Sequence, residues 1–225
     1  MATSSIGRRV WVLWALVLAL LSATVALWLV NNTVRPQSSS PLPLAVPGFA
    51  TVGAILVARH RGHVVGWLFL GLAAVTALGS FSEAYAIRAY PTGTLPVGAY
   101  LIWLTTWLSG LFVLPLGLLL LLFPTGRLPS GRWRPVVWVL AVSTAYLVGK
   151  FMLTPVLGLQ VSQTEHIGIA NPVLSFQVVS TVILPYSVAV LSSYAALATA
   201  ALAPLVRFPL RRRQDRGGVQ HPPAG

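Results

Sequence analysis

Two charged residues stand inside long hydrophobic stretches, and they are the first candidates for chemistry. Glu83 is one of only three acidic residues in the chain, and Lys150 is the only lysine. Charged side chains inside membrane helices are costly and usually have a function. At ~1.5 Å per residue, Glu83 lies ~28 Å and Lys150 ~21 Å above the start of its predicted helix. Both therefore fall in one half of the membrane and are candidates for an intramembrane charge pair. Two alternatives are that one of them belongs to a ligand or proton site, or that each side chain reaches water separately.

A second candidate pair lies in the segment before the last hydrophobic stretch. Glu165 and His166 are adjacent, and a carboxylate beside an imidazole could sense pH or bind a metal ion. The same two residues also suit a solvated loop. The chain has no cysteine, which excludes disulfides and thiolate metal ligands.

No catalytic constellation is present in the sequence. It lacks a glycine-rich phosphate loop with lysine, an H-E-x-x-H motif and a G-x-S-x-G motif. Three acidic residues in total also leave little for acid–base chemistry. We therefore expect a protein that is not an enzyme and that needs no cofactor.

The elements that hold these residues are predicted to be membrane-spanning helices. Of the 225 residues, 56% are hydrophobic and 8% are charged, whereas a soluble domain carries about a quarter charged residues. Several apolar runs reach the ~20 residues that a helix needs to cross a bilayer. We predict an all-α, polytopic transmembrane helical bundle of about six helices. The predicted spans are 10–30, 42–58, 64–86, 97–123, 136–153 and 173–206. The fourth is long enough either to tilt or to kink at Pro115, and a kink is expected at Pro185. Residues 207–225 are predicted to be a disordered basic tail.

The placement of the basic residues predicts the orientation. The net charge is +12, and if the N-terminus is cytoplasmic, all but three of the 15 basic residues fall on the cytoplasmic side. This bias follows the positive-inside rule. It predicts a multi-pass protein of the cell (inner or plasma) membrane with both termini in the cytoplasm. Anionic lipids, rather than nucleic acid, are the expected partners of these residues.

Two stretches carry a resemblance to a known family. The sequence GWLFLGL occupies positions 66–72, and LFPTGRLPSGRWRP occupies positions 122–135. Together they resemble the N-terminal multi-helix membrane region of bacterial, actinobacterial-type sensor histidine kinases. The family usually has Asn-Pro-Ile before Gly-Trp, where this chain has His63, Val64 and Val65. The chain also lacks a phosphoacceptor helix and nucleotide motifs, so the resemblance implies a sensory input module without kinase activity.

The second stretch also has a physical interpretation as a rigid cytoplasmic loop. Its prolines stiffen the backbone, its glycines allow tight turns, and its arginines can bind phosphate headgroups beside an interfacial tryptophan. The loop motif consists of Pro124, Gly126, Arg127, Pro129, Arg132, Trp133 and Arg134.

Three functional hypotheses follow. The first is a sensor-like membrane module that acts as a homodimer or through a separate signalling partner. The second is a small transporter or channel subunit, and the third is a truncated gene fragment of a sensor kinase.

Overall fold

The computed structural model describes residues 3–30, 42–60, 63–92, 97–154, 156–160, 166–170, 172–173 and 186–217. Most of these residues are helical. The helices are α1 (Thr3–Val30), α2 (Leu42–Arg59), α3 (Val64–Thr92), α4 (Gly98–Leu111), α5 (Val113–Leu122), α6 (Arg134–Met152) and α7 (Tyr186–Gly217). A 3-10 turn (Gly131–Trp133) precedes α6, and two strands, β1 (Val156–Gln160) and β2 (His166–Ala170), precede α7.

Four helical segments in the described part of the chain are long and apolar enough to cross a membrane. They are Gly7–Val30, Val64–Ala89, Gly98–Leu122 and Gly131–Met152. Two shorter apolar helices, Pro43–Arg59 and Ser187–Ala203, accompany them. The predicted helical fold is thus confirmed for the described residues, and four of the six predicted spans have helices long and apolar enough to cross a membrane.

The outer surface of the bundle is apolar in the way that contact with lipid requires. Leu29, Trp138 and Leu191 are each about two-thirds exposed. Because hydrocarbon tails are as apolar as these side chains, they need no protein cover in a bilayer.

The helices α1, α2 and α3 form one group with its own core. Val17, Val46, Ala50, Ala73 and Ala77 are buried together. The indole Nε1 of Trp14 donates a hydrogen bond of 3.1 Å to Thr51 Oγ1 and so joins α1 to α2.

The helices α5, α6 and α7 form a second group, which α4 joins through α6. Its core consists of Leu121, Leu140, Ala196, Ala200 and Ala203. The hydroxyls of Ser143 and Ser192 are hydrogen-bonded at 2.9 Å between α6 and α7. The two groups meet where α3 packs against α4 and α5.

The arginine side chains of the described loops gather at one end of the bundle. The start of α1, the end of α2 and the start of α3 pack together through Val10, Val57 and Leu70. The end of α5 joins them through a cluster that includes Val65 and Leu119. We call this the arginine end, defined by the exposed Arg8, Arg9, Arg59, Arg127, Arg132 and Arg134.

The opposite end carries an antiparallel β-hairpin that an all-α prediction did not include. We call it the hairpin end, defined by β1 and β2. Val156 pairs with Ala170, and Gln160 pairs with His166. Val156, Ile167 and Ile169 are β-branched, and residues of this kind favour strands. Leu157 is buried against Ala86 and Ile102, so the hairpin packs on the ends of α3 and α4.

Two further differences concern the ends of predicted spans. The last helix continues to Gly217, whereas the sequence predicted disorder from residue 207. Residues 174–185, which contain the predicted start of the sixth span and the kink at Pro185, lie outside the described residues.

Candidate functional site

A cavity of about 240 Å³ lies between α2, α3 and α4. Its polar lining comes from α3 and α4, and apolar residues close the rest. The lining residues are Pro43, Val75, Thr76, Gly79, Ser80, Glu83, Thr105, Leu108, Ser109 and Phe112. The cavity therefore contains one of the two membrane-level charges that the sequence singles out.

Helical periodicity positions the polar side chains on one face. Thr76, Ser80 and Glu83 are spaced by four and three residues on α3, and Thr105 and Ser109 by four on α4. Residues at such spacing lie one above another on a helix. These two stripes supply the polar groups of an open cavity whose other lining residues are apolar.

Three of the hydroxyl groups that line the cavity already donate their protons. Thr76 Oγ1 donates to the carbonyl of Leu72 at 2.8 Å, and Thr105 Oγ1 donates to the carbonyl of Leu101 at 2.9 Å. Ser109 Oγ donates to an α4 carbonyl at 2.6 Å. Each hydroxyl has a single proton but two lone pairs. These groups can therefore still accept hydrogen bonds.

Glu83 is half-buried, and it is the only ionisable residue among those that line the cavity. None of the described lining residues is a lysine, an arginine or a histidine. A carboxylate in an apolar setting is costly unless a positive charge or hydrogen-bond donors compensate it. The cavity thus presents an acidic group with hydrogen-bond acceptors around it.

Phe112 lines the cavity at the point where the fourth span is interrupted. It separates α4 from α5 while keeping helical angles, with φ −58° and ψ −32°. Pro115 lies three residues later and has no N–H to donate to the carbonyl of Leu111. The span is thus interrupted next to Pro115, and this part of it lacks one backbone hydrogen bond. The kink at Pro115 stays a prediction.

Lys150 lies in the last turn of α6, near the hairpin end. The helix α4 packs against α3 on one side and α6 on the other. Trp103 of α4 donates a hydrogen bond of 3.1 Å to the carbonyl of Met152 on α6. Because α4 lies between the helices that carry Glu83 and Lys150, the charge pair stays a prediction.

The loop motif is anchored by two side chains and exposes its arginines. Leu128 and Trp133 pack against the core of α5, α6 and α7. Arg127, Arg132 and Arg134 are exposed. Gly126 adopts a positive φ of 71°, which glycine tolerates without strain, and Pro124 and Pro129 flank it in sequence. The loop thus presents positive charge at the arginine end.

The predicted sensing pair is only partly within the described residues. Glu165 lies outside them, and His166 is the first residue of β2. At the other end of the bundle, the rings of His60 and His63 lie 6.3 Å apart. No group of acidic, histidine or cysteine side chains suited to a metal ion occurs among the described residues.

Comparison with family models, curated proteins and solved structures finds no match for this chain. The resemblance to sensor histidine kinases therefore stays a prediction. The functional residues that sequence reasoning missed are the hydroxyls around Glu83, although their helical spacing was a readable signal.

Proposed function

We propose that this chain is a sensor-like input module of the plasma membrane, non-catalytic by itself, with about six spans and cytoplasmic termini. The observation that supports it is a membrane-level acidic cavity next to an interrupted helix. That helix continues as α5 directly into the exposed basic loop. An occupant of the cavity would thus act on the element that leads to the arginine end.

The contacts around the cavity suggest how a signal would travel. An occupant would touch Glu83 on α3 and Thr105 and Ser109 on α4. Any change in the distance between α3 and α4 would act at Phe112, where the span has lost a backbone hydrogen bond. Helix displacements of ~1–2 Å are the usual size of such transitions.

The loop would convert this displacement into a signal at the cytoplasmic surface. Leu128 and Trp133 seat the loop on the same core that holds the end of α5. A shift of α5 would therefore move the exposed arginines relative to the lipid headgroups or to a signalling partner. Each basic residue close to an anionic membrane contributes ~1 kcal/mol of attraction.

A distance measurement across the arginine end tests this proposal. The chain has no cysteine. Spin labels would therefore attach only to the two cysteines introduced by Ser130→Cys and His60→Cys. Both positions are exposed. We then compare the chain with and without Gly79→Leu, which places a side chain in the cavity. The expected result is a shift of about 2 Å or more between the labels.

The matched control is Gly71→Leu on the same helix. Gly71 and Gly79 both face open space, but only Gly79 lines the cavity. If both variants leave the distance distribution unchanged, the cavity does not communicate with the arginine end, and the sensor proposal loses its basis.

A small transporter or channel subunit is the second candidate, and a second cavity favours it. This cavity of about 150 Å³ lies between α4, α5, α6 and α7, and it shares Ser109 with the first. Two cavities that meet at one residue could form part of a path. Flux of a cation into proteoliposomes above that of empty vesicles would support a carrier; flux equal to that of empty vesicles would argue against it.

A further inference from the structure

We infer that the cavity beside Glu83 binds a small amphipathic organic cation, namely an ammonium ion with a short apolar body. The inference names a ligand class for the input site, and it rests on the proposed function only in treating this cavity as that site. Charge, hydrogen-bonding capacity and shape each contribute to it.

The charge of the cavity calls for a cation. Among the described residues that line it, Glu83 is the only ionisable one, and it stands on a helix long and apolar enough to cross a membrane. Charges at membrane depth are almost always paired or face a water-filled space. A ligand that carries a positive charge would supply the counter-charge that the lining lacks.

The hydrogen-bonding capacity of the lining selects the same class. The hydroxyl protons of Thr76 and Ser109 go to carbonyls of their own helices. The hydroxyl of Thr105 has two carbonyl acceptors, Leu101 at 2.9 Å and Gly79 of α3 at 3.5 Å. The oxygens of these three hydroxyls can accept hydrogen bonds, and the Glu83 carboxylate can accept several more. An ammonium group consists of donors that match these acceptors. A ligand carboxylate or phosphate would need several donors, whereas the described lining offers one further hydroxyl, that of Ser80, and such a ligand would also meet a like charge.

The size and shape of the cavity favour an organic cation over a bare ion. Its volume of about 240 Å³ far exceeds the ~30 Å³ that one water molecule occupies in the liquid. Val75 lies eight residues before Glu83 on α3, which is ~12 Å along the axis. Leu108 and Phe112 supply apolar surface on α4. An apolar body can fill this deeper part while its ammonium group stays at Glu83.

The position of Glu83 indicates the side from which the ligand arrives. Pro43, in the first turn of α2, lines the cavity, and α2 begins at the end opposite the arginine end. Ala86 and Ile102, which contact the hairpin, lie one helical turn beyond Glu83 and Thr105. Glu83 and Pro43 therefore lie on the side of the cavity that faces the hairpin end, which is the outer side in the proposed orientation.

Binding to the purified full-length chain in nanodiscs of zwitterionic lipid tests the inference. Three probes of similar size differ in charge: phenethylammonium, neutral 2-phenylethanol and anionic 3-phenylpropionate. Calorimetric titration, corrected with empty nanodiscs, should show the tightest binding for phenethylammonium. Glu83→Gln should weaken that binding at least about tenfold, as loss of one partner of a desolvated charge pair does. Glu83→Asp, which keeps the charge, should retain most of it.

Three results would overturn the inference. They are equal or tighter binding of 3-phenylpropionate, binding of phenethylammonium by Glu83→Gln within about twofold of the parent chain, and no detectable binding of phenethylammonium.

A second variant decides the matter if Glu83→Gln does not fold. Gly79→Leu leaves Glu83 in place and fills the cavity, and a Cβ at Gly79 meets nothing within 4 Å. This variant should lose phenethylammonium binding, whereas Gly71→Leu should bind like the parent chain. Equal binding by the two leucine variants would place the cation elsewhere and refute the inference.

Failure of the inference and failure of the proposed function are distinguishable. Loss of cation selectivity with an intact distance shift between the spin labels would refute only the ligand class. Selective cation binding with no change in the distance between the spin labels would support the cation site and refute the sensor role.

Discussion

Two parts of α3 contact their neighbours in opposite ways. Near the arginine end, α3 meets α2 so closely that a Cβ at Gly53 would lie 2.8 Å from the backbone oxygen of Gly66 and 2.8 Å from the nitrogen of Leu70. Near its other end the same helix closes on α4, where a Cβ at Gly98 would lie 2.9 Å from Cβ of Ala89. Between these two close contacts α3 lines the acidic cavity, and a Cβ at Gly79 would meet nothing within 4 Å. One helix thus combines a tight contact with an open one.

The difference shows where the bundle gains stability and where it leaves room for a ligand. Helices in lipid gain little from the hydrophobic effect between them, so close packing of small residues contributes most of their attraction. Gly53 and Gly66 provide that packing. The part of α3 around Gly79 lacks this close packing. The contact at Gly53 and Gly66 holds α2 and α3 together without it.

The largest change in stability is expected when a methyl group is added at the tight contact between α2 and α3. Gly53→Ala puts a Cβ against two backbone atoms that no side-chain rotation can move. Overpacking of this kind typically costs ~1–3 kcal/mol, occasionally more. We expect the variant to lose at least that much free energy of unfolding, measured by denaturant titration in detergent.

Gly71→Ala on α3 is the matched control, because its Cβ would meet nothing within 4 Å. A Gly53→Ala variant as stable as Gly71→Ala would contradict the assignment of the tight contact.

The sequence predicted the helical membrane fold because long apolar runs and sorted arginines depend only on local composition. It also marked Pro115, next to which the fourth span is interrupted, since proline removes a backbone donor whatever its neighbours are. The hairpin at 156–170 was missed for a different reason. Its strands are five residues each, and a short apolar segment between two helices gives a weak periodic signal.

The candidate site was predicted only as far as Glu83. A charged residue in an apolar run can be recognised from the sequence alone, whereas the cavity depends on which helix packs beside α3. The Glu83–Lys150 hypothesis also depends on how α3 and α6 lie around α4, which packs against both, and it stays a prediction. The order of helices around a bundle is a tertiary property that spacing along the chain does not encode.

An intermediate loss of stability is expected where the added methyl group would meet a side chain instead of backbone atoms. A Cβ at Gly117 of α5 would lie 2.6 Å from Cδ1 and 2.9 Å from Cδ2 of Leu140. The end of a leucine side chain can turn aside, so Gly117→Ala should cost less than Gly53→Ala, about 1 kcal/mol.

The double variant Gly117→Ala with Leu140→Ala checks the cause. Two changes at one contact should be less destabilising together than the sum of the single variants. Strict additivity would show that Leu140 is not what the added methyl group meets.

The smallest effect, and the only stabilising one, is expected in the open part of α3. Gly79→Ala adds a methyl group in empty space, and alanine is preferred to glycine inside a helix by ~1 kcal/mol. Denaturant titration should therefore show a gain of up to about 1 kcal/mol, similar to the gain from Gly71→Ala. A loss of stability would mean that α3 is closed at this level, and the contrast between its two parts would disappear. If the stability rises as expected, glycine at this position is explained better by the space it leaves beside Glu83 than by helix packing.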